Sequence, residues 1–269
     1  MNPSADPIGL FNAGRLDEAV ALATETVRKA PADTAARLRL AEFLLFEDAF
    51  DRIDRLLDTI GAMDAATMPA VVEFRQVLRA EIARRQVFAD GRVPEFVGGP
   101  DSAQRAALSA LLALRDGDIA AAVAASIQAE AARQPAPGRM GDAPFPDWRD
   151  TDDLLGGSLE ILTPAGQYYW VPFGRVAALQ PAPVRRTRDL FWRPARLSVA
   201  NGPEGDIFLP VTYPPSNETS PAHRLGRLTD WVEIAPGLVR GVGQKTFLIG
   251  DEGVAMQDLA PIIGGGPTA

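Results

Sequence analysis

Apolar residues in the first half of the chain recur at spacings of three and four, which is the period of an amphipathic helix. The clearest stripe runs from Leu16 to Val27, and Pro69 stands where a first helical turn tolerates proline. Asp101 followed by Gln104 has the form of a capping pair, which marks the start of a helix. The pattern predicts helices over residues 16–27, 38–45, 53–60, 68–90, from 101 onward, and 118–133.

These helices are spaced like a degenerate repeat. The turn at Gly14, which precedes Leu16, is echoed 34 residues later by the turn at Asp48, and this offset is the length of a tetratricopeptide (TPR) unit. An ordinary helical bundle with coincidental spacing is the alternative interpretation. In the repeat phase, residues 34–46 form the first helix of a unit and line its concave face. The residues of that helix expected to contact a partner are Arg37, Leu40 and Leu44.

Short apolar and aromatic runs bounded by turn residues predict β-strands in the second half. Asn201-Gly202, between two of these runs, suits a turn that needs a positive φ. The runs cover residues 159–162, 168–173, 176–179, 196–199, 206–210, 231–234 and 246–249, with a closing helix or strand over 256–263. We expect them to form a compact, mainly antiparallel sheet domain.

The two halves differ in composition at a boundary near residue 134. Six of the 23 prolines lie before it, whereas the other 17, all four tryptophans and all three tyrosines lie after it. Proline breaks the helical ladder and aromatic residues favour strands. The predicted fold class is α+β, with an all-helical TPR-like domain over 1–134, a Pro/Gly-rich linker over 135–147 and a β-rich domain over 148–269.

Composition and charge narrow the classes of function. The 269 residues include no cysteine and one histidine, which excludes disulfides, thiolate metal sites and His-rich metal sites. A net charge of −8 is atypical of a nucleic-acid-binding protein. The sequence shows neither a secretory signal nor an apolar run long enough to span a membrane. We expect a cytoplasmic interaction protein with no cofactor, metal, nucleic-acid partner or membrane insertion, and we leave a homo-oligomer open.

One alternative makes the second half a hydrolase in which His223 acts as the general base. Such a base needs a nucleophile and an orienting carboxylate, and Ser216, Glu218 and Ser220 are its neighbours in sequence. The Gly-x-Ser-x-Gly motif that would carry a serine nucleophile is absent from the sequence. A surface-loop histidine is therefore the favoured interpretation.

Another alternative places a docking surface in the second half. Arginine outnumbers lysine by 25 to 2, and its planar guanidinium binds carboxylates with two parallel hydrogen bonds. A cluster beside exposed aromatic residues would bind an acidic partner, although pairing with acidic residues of the same chain is the favoured interpretation. The candidate residues are Arg185, Arg186 and Arg188.

Ordered sequence blocks between residues 184 and 252 resemble the ImpE/TagJ family of type VI secretion accessory proteins. The blocks read RDLFWRPAR from residue 188, GDIFLP from 205, RLGR from 224, TDW from 229, and G-x4-L-x-G-D-E from 243. Signature residues of this kind either contact a partner or hold turns and core together. Those that match are Asp189, Trp192, Arg193, Asp206, Asp230, Trp231, Asp251 and Glu252.

The resemblance implies a non-enzymatic adaptor of the contractile secretion machine. Members of the family are described as binding the N-terminal helix of the small sheath subunit TssB, in connection with sheath assembly or with recycling by the ATPase ClpV. A helical-hairpin array presents a groove that accepts such a helix. We therefore expect TssB to dock in the groove of residues 1–134, with ClpV as an indirect partner and the arginine surface as the alternative docking site.

Overall fold

The computed structural model describes residues 6–214 and 220–265, which form eight α-helices. Seven helices precede residue 134: six match the helices that the apolar pattern predicts, whereas the short helix at Pro7–Asn12 was not predicted. The longest, Met68–Ala89, has 22 residues. The bounds are α1 Pro7–Asn12, α2 Leu16–Lys29, α3 Thr34–Leu44, α4 Phe50–Met63, α5 Met68–Ala89, α6 Ser102–Arg115, α7 Ile119–Ala132 and α8 Pro221–Arg224.

Aspartate side chains mark where several of these helices begin. Asp33 accepts a hydrogen bond from the amide of Ala36 at 2.9 Å. Asp101 and Gln104 form a reciprocal capping box at the start of α6, which confirms the capping pair predicted from the sequence. Such caps satisfy amide groups that have no partner within the helix, and each contributes about 1 kcal/mol.

The described residues also form fourteen β-strands, twice the number predicted, because many are only two to four residues long. Asn201, in the turn between β8 and β9, has φ 52°, as its dipeptide predicts. The bounds are β1 Glu95–Phe96, β2 Gly138–Met140, β3 Ala143–Phe145, β4 Trp148–Asp150, β5 Ser158–Leu162, β6 Tyr168–Pro172, β7 Val176–Pro181, β8 Trp192–Val199, β9 Glu204–Pro210, β10 Thr229–Ala235, β11 Leu238–Gly243, β12 Thr246–Ile249, β13 Glu252–Ala255 and β14 Ile262–Gly264.

Nine of the strands make one sheet in the order β1-β6-β5-β9-β8-β7-β14-β2-β3. Its pairs are antiparallel except for the parallel pair β1–β6. The strands β13-β12-β4 form a small antiparallel sheet, and β10 and β11 form a two-stranded ribbon. The fold is therefore α+β with a mainly antiparallel sheet, as predicted.

The large sheet is covered on both faces. In β6, Tyr168 and Trp170 join the core made by the helices, whereas Val171 joins a second core that contains Trp148 and Phe247 of the small sheet. Side chains alternate between the two faces of a strand, so β6 contributes side chains to both cores. The helices share the first core with one face of the sheet, and the second core lies on the other face.

The segment 135–147, predicted to be a linker, contributes two strands to the edge of the large sheet. Pro144 of this segment lies within β3, although a linker was expected to contain no regular element. Proline lacks an amide donor and is tolerated in edge strands, and β3 is the last strand of the sheet. At the opposite edge, β1 comes from the helical half. The division of the chain into domains stays a prediction.

Candidate functional site

A segment of the sheet-forming half covers the surface of α3 and α5. Thr187–Leu190 forms a 3-10 turn that leads into β8, and Phe191 contacts Phe46 edge to face, with 5.2 Å between the ring centroids. Trp192 contacts Phe74 of α5 in the same geometry at 5.8 Å. Such pairs contribute about 0.5–1.5 kcal/mol beyond the burial of their area. The chain therefore supplies its own occupant for this helical surface.

Two of the three residues expected to face a partner from α3 lie in the core. Leu40 is 2% exposed and Leu44 is fully buried, and both belong to the cluster that contains Phe191. Arg37 is half-buried, and its guanidinium donates two hydrogen bonds to the carbonyl of Pro31, at 3.0 and 2.7 Å. The expectation that Leu40 and Leu44 present a docking surface is corrected, because both side chains are buried in the core that contains Phe191.

The arginine cluster divides into exposed and buried members. Arg185 and Arg186 are exposed beside the 3-10 turn. Arg188 is buried, stacks over Phe74 with 5.2 Å to the ring centroid, and pairs with Glu73 of α5. Arg186 lies 3.5 Å from the same Glu73 carboxylate. Two arginines at this helix–sheet junction thus remain on the surface, while the third holds the junction together.

Glu42 of α3 lies beneath the same arginines. Its side chain is buried, and burial raises the pKa of Glu42 to about 7, although the positive charges of Arg188 and Arg186 act in the opposite direction. The negative charge of Asp189 adds to the rise. This carboxyl group therefore changes charge near neutral pH at the base of the junction.

Glu160 of β5 is the centre of a fully buried charged network between the helices and the sheet. Arg84 of α5 donates to its two oxygens at 2.7 and 3.1 Å. Lys245 donates at 2.8 Å and the hydroxyl of Tyr168 donates at 2.5 Å. Burial acts to raise the pKa of Glu160, but the charges of Arg84 and Lys245 outweigh it and hold that pKa well below its usual range.

Lys245 extends the network into the small sheet. Its ammonium lies 2.6 Å from Asp150 of β4 as well as 2.8 Å from Glu160, and all three side chains are buried. Burial acts to lower the pKa of Lys245, but the two carboxylates raise it above its ordinary value. The hydroxyl of Tyr213 donates to Asp150 at 2.8 Å. Each buried charge therefore has an opposite charge within hydrogen-bond distance, as burial in a low dielectric requires.

Glu81 continues the network on the helical side. It accepts hydrogen bonds from the indole of Trp192 at 3.2 Å and from Arg85 at 2.8 Å. Arg85 also pairs with Asp48 at 2.8 Å. The signature residue Trp192 thus joins β8 to α5 through both its ring and its N–H group.

This buried network was not predicted from the sequence; its charged members are Glu81, Arg84, Glu160, Lys245 and Asp150. The available signals are a charge inside the apolar run at 159–162 and the position of one of only two lysines. Neither signal identifies the residue with which the charge pairs, because Arg84 and Glu160 are 76 positions apart in the chain and Lys245 is 85 positions from Glu160.

Two of the other signature residues, Asp189 and Arg193, bond to the main chain through their side chains. Asp189 is buried and accepts from the amides of Arg185 and Arg186 at 2.9 and 3.2 Å. Arg193 donates to the carbonyls of Met256 and Gln257 at 2.6 and 2.9 Å. Three others are exposed carboxylates, of which Asp206 lies 3.4 Å from Arg196, while the remaining two sit at the β12–β13 turn: Asp251 and Glu252.

His223 lies in α8 with hydrogen-bond partners on both ring nitrogens. Nδ1 is 2.9 Å from the hydroxyl of Ser220, and Nε2 is 2.8 Å from the carboxylate of Asp230. The structure thus brings a serine, a histidine and an aspartate together, with Ser220 immediately before the helix. Ser216 and Glu218, named above as neighbours of His223, lie outside the described residues.

Within residues 6–214 and 220–265, no group of three or more histidine and acidic side chains is placed to hold a metal ion. Across the same ranges, no helix is both long and apolar enough to cross a membrane.

Comparison with known proteins places the chain among type VI secretion accessory proteins. Residues 142–263 match the family model described as ImpE protein. The chain is 35% identical over 251 residues, which are 93% of this chain and 88% of the relative, to the type VI secretion system accessory component TagJ of Pseudomonas aeruginosa.

The crystal structure of protein VPA1032 from Vibrio parahaemolyticus superposes with a TM-score of 0.90 at 27% identity, over 96% of this chain and 97% of that one. The likeness therefore extends through the helices and the sheet alike. Because the identity to TagJ also spans both halves, the chain belongs to the ImpE family.

Proposed function

We propose that this protein is a non-enzymatic adaptor of a type VI secretion system that binds the N-terminal helix of the small sheath subunit TssB. The observation that carries the proposal is the 35% identity, over 93% of the chain, to a type VI secretion accessory component. A cytoplasmic location, and a link to sheath assembly or to recycling by ClpV, belong to the same proposal.

The docking site proposed here is the surface at the helix–sheet junction. Arg185 and Arg186 are exposed there, and Val184 is 42% exposed beside them. Arg186 lies 3.5 Å from Glu73 of α5, and Val72, the residue before Glu73, is 48% exposed. Apolar side chains flanked by arginines suit an amphipathic helix with acidic residues beside its apolar stripe. The alternative site, the groove formed by α3, is occupied by Phe191 and its neighbours.

The double substitution Arg185→Ala with Arg186→Ala is expected to weaken binding of a TssB N-terminal peptide by about tenfold or more, equivalent to about 1.4 kcal/mol. The reason is the loss of two cations at the edge of the docking surface. Titration calorimetry with the full-length chain measures the change. The thermal midpoint should remain near that of the wild type, because both side chains are exposed.

The matched control is Arg28→Ala with Arg139→Ala, which removes the same two charges from exposed positions elsewhere. An equal loss of affinity in the control would show that the net charge of the chain governs binding, rather than the surface at the junction. Unchanged affinity in the junction variant would move the docking site away from the junction. Wild-type chain that fails to bind the peptide at all would contradict the proposed function itself.

The hydrolase alternative has one geometric observation in its favour, the contacts of His223 with Ser220 and Asp230. In this alternative His223 takes the proton of the serine hydroxyl and Asp230 orients the ring. A panel of activated esters tests it: hydrolysis by the wild-type chain that disappears in both Ser220→Ala and His223→Ala would support a hydrolase. If hydrolysis survives either substitution, or is absent in the wild type, the contacts serve to fasten α8 to β10.

A further inference from the structure

Glu42 is an acidic residue that the fold buries without pairing it. Its side chain is 7% exposed, and among the described residues its carboxyl group accepts no hydrogen bond and joins no ion pair. A buried carboxylate normally has a hydrogen-bonded partner, because the loss of its hydration is otherwise unfavourable. Burial accordingly raises the pKa of Glu42 to about 7, so this carboxyl group is neutral in part of the molecules at neutral pH.

The charges around Glu42 come from its own helix and from the segment that carries the proposed docking surface. Arg188 and Arg186 act on it most strongly after burial, followed by Asp189 and by Arg39 of α3. The helices α1, α2 and α4 also pack on α3. However, α1 contains no charged residue, and the buried residues of α2 and α4 are all apolar. The docking surface therefore sets the electrostatic environment of Glu42.

These charged groups balance only when Glu42 is ionised. Together with a carboxylate of α5, they are three cations and three acidic groups: Arg39, Arg186, Arg188, Glu42, Glu73 and Asp189. When Glu42 is protonated, one positive charge is left over. Water screens charges little in a partly buried cluster, so the surface attracts an anion more strongly when Glu42 is neutral.

Arg186 is the member of this cluster that a partner can reach. Its side chain is 44% exposed, and it lies 3.5 Å from Glu73 and 3.4 Å from Asp189. Both distances exceed the about 2.7–2.9 Å of a direct hydrogen bond between an arginine and a carboxylate. The guanidinium is thus free to turn toward another anion, and ionised Glu42 and a carboxylate of the partner are alternative counter-ions for it.

We propose that Glu42 is an internal competitor for the arginines of the docking surface, and that an acidic partner binds there with uptake of a proton by Glu42. This inference rests on the proposed function, since it concerns the same surface. A carboxylate of the partner beside Arg186 offsets the positive charge that favours ionised Glu42. The proton comes from the solvent and forms the O–H bond of the carboxyl group, which removes the competing anion.

Linkage fixes the direction of the pH dependence. Binding that takes up a proton is favoured at low pH, so the affinity falls as the pH rises. The affinity is highest well below pH 7, because Glu42 is then protonated before the partner arrives. It declines above pH 7, where the proton has to be taken up during binding.

Titration calorimetry of the full-length chain with a TssB N-terminal peptide at pH 6 and at pH 8.5 tests this inference. A peptide with blocked termini and without histidine or cysteine has no group that titrates in this range. We expect the wild type to bind about fivefold more weakly at pH 8.5 than at pH 6. Glu42→Gln should bind equally at both pH values, with the affinity of the wild type at pH 6, because glutamine does not ionise.

The uptake of the proton is measured directly at pH 7.5 in phosphate and in Tris, two buffers with different heats of ionisation. The observed enthalpy of binding should differ between the buffers for the wild type and agree for Glu42→Gln. The matched control is Glu204→Gln, which removes an exposed carboxylate that pairs with Arg196. This control should keep both the affinity and the pH dependence of the wild type.

The outcomes separate this inference from the proposed function. A wild type that binds equally at pH 6 and pH 8.5 would overturn the inference alone, as would a pH dependence that persists in Glu42→Gln. Loss of the pH dependence in Glu204→Gln would also overturn it, since the net charge of the chain would then be the cause. A wild type that binds the peptide at neither pH would contradict the proposed function, and the inference with it.

Discussion

Replacing Glu160 with glutamine is expected to lower the free energy of unfolding by about 3–5 kcal/mol, the usual cost of breaking a buried ion pair on one side. Glu160 accepts from Arg84, Lys245 and Tyr168, and all four side chains are buried. Without its negative charge, Arg84 retains Glu81 and Lys245 retains Asp150, but an excess positive charge stays in a low dielectric. Urea denaturation at pH 7, followed by far-UV circular dichroism, measures the loss.

The matched control for this substitution is Glu204→Gln. Glu204 pairs with Arg196 on the surface, where both side chains are more than half exposed. Ion pairs between exposed side chains contribute little to stability, because water screens them, so the control should unfold near the wild type. A loss in Glu160→Gln no larger than in the control would show that the buried network does not hold the helices to the sheet.

The network also predicts how this contribution depends on pH. The folded-state pKa of Glu160 lies below its ordinary value of 4.5, so its stabilising effect is present above pH 4.5 and is lost as the pH falls. The difference in unfolding free energy between wild type and Glu160→Gln should therefore shrink as the pH is lowered from 6 toward 3.

How far the sequence determines the fold differs between local and long-range features. The start of α6 at Asp101 and the turn at Asn201 were predictable because a cap and a positive φ depend on a few adjacent residues. The helix spanning 68–89 was predictable because residues that interrupt helices occur only near its two ends. The short strands β1 and β3 were not, since two or three residues at a sheet edge carry no periodic signal.

The candidate site was less accessible to prediction for the same reason. Leu40 and Leu44 lie on the expected helix, but a helical period does not state what covers each face. Here the cover is Phe191 and Trp192, about 150 positions along the chain from α3. Residue type alone singled out Arg185, Arg186 and Arg188 together, and only the structure separates the two exposed arginines from the buried Arg188.

Replacing Glu42 with glutamine is expected to stabilise the protein at pH 8 by up to about 3 kcal/mol, with little effect at pH 5. The folded-state pKa of Glu42 is about 7 against an ordinary 4.5, so the fold favours the neutral carboxyl group. Stability linked to this group is fully present below pH 4.5 and is lost as the pH rises through 7. Glutamine has the shape of the neutral acid and does not ionise in this pH range. Each unit of difference between the folded and unfolded pKa corresponds to about 1.4 kcal/mol of stability.

Thermal unfolding of both proteins between pH 5 and pH 8 measures this difference, and Glu204→Gln again serves as the exposed control. A constant offset between Glu42→Gln and the wild type across that range would contradict the titration. The charges of Arg186 and Arg188 lower the pKa of Glu42, so removing the exposed Arg186 should move the loss of stability to higher pH. Because Arg186 belongs to the proposed docking surface, a bound acidic helix that neutralises this arginine should shift the titration in the same direction.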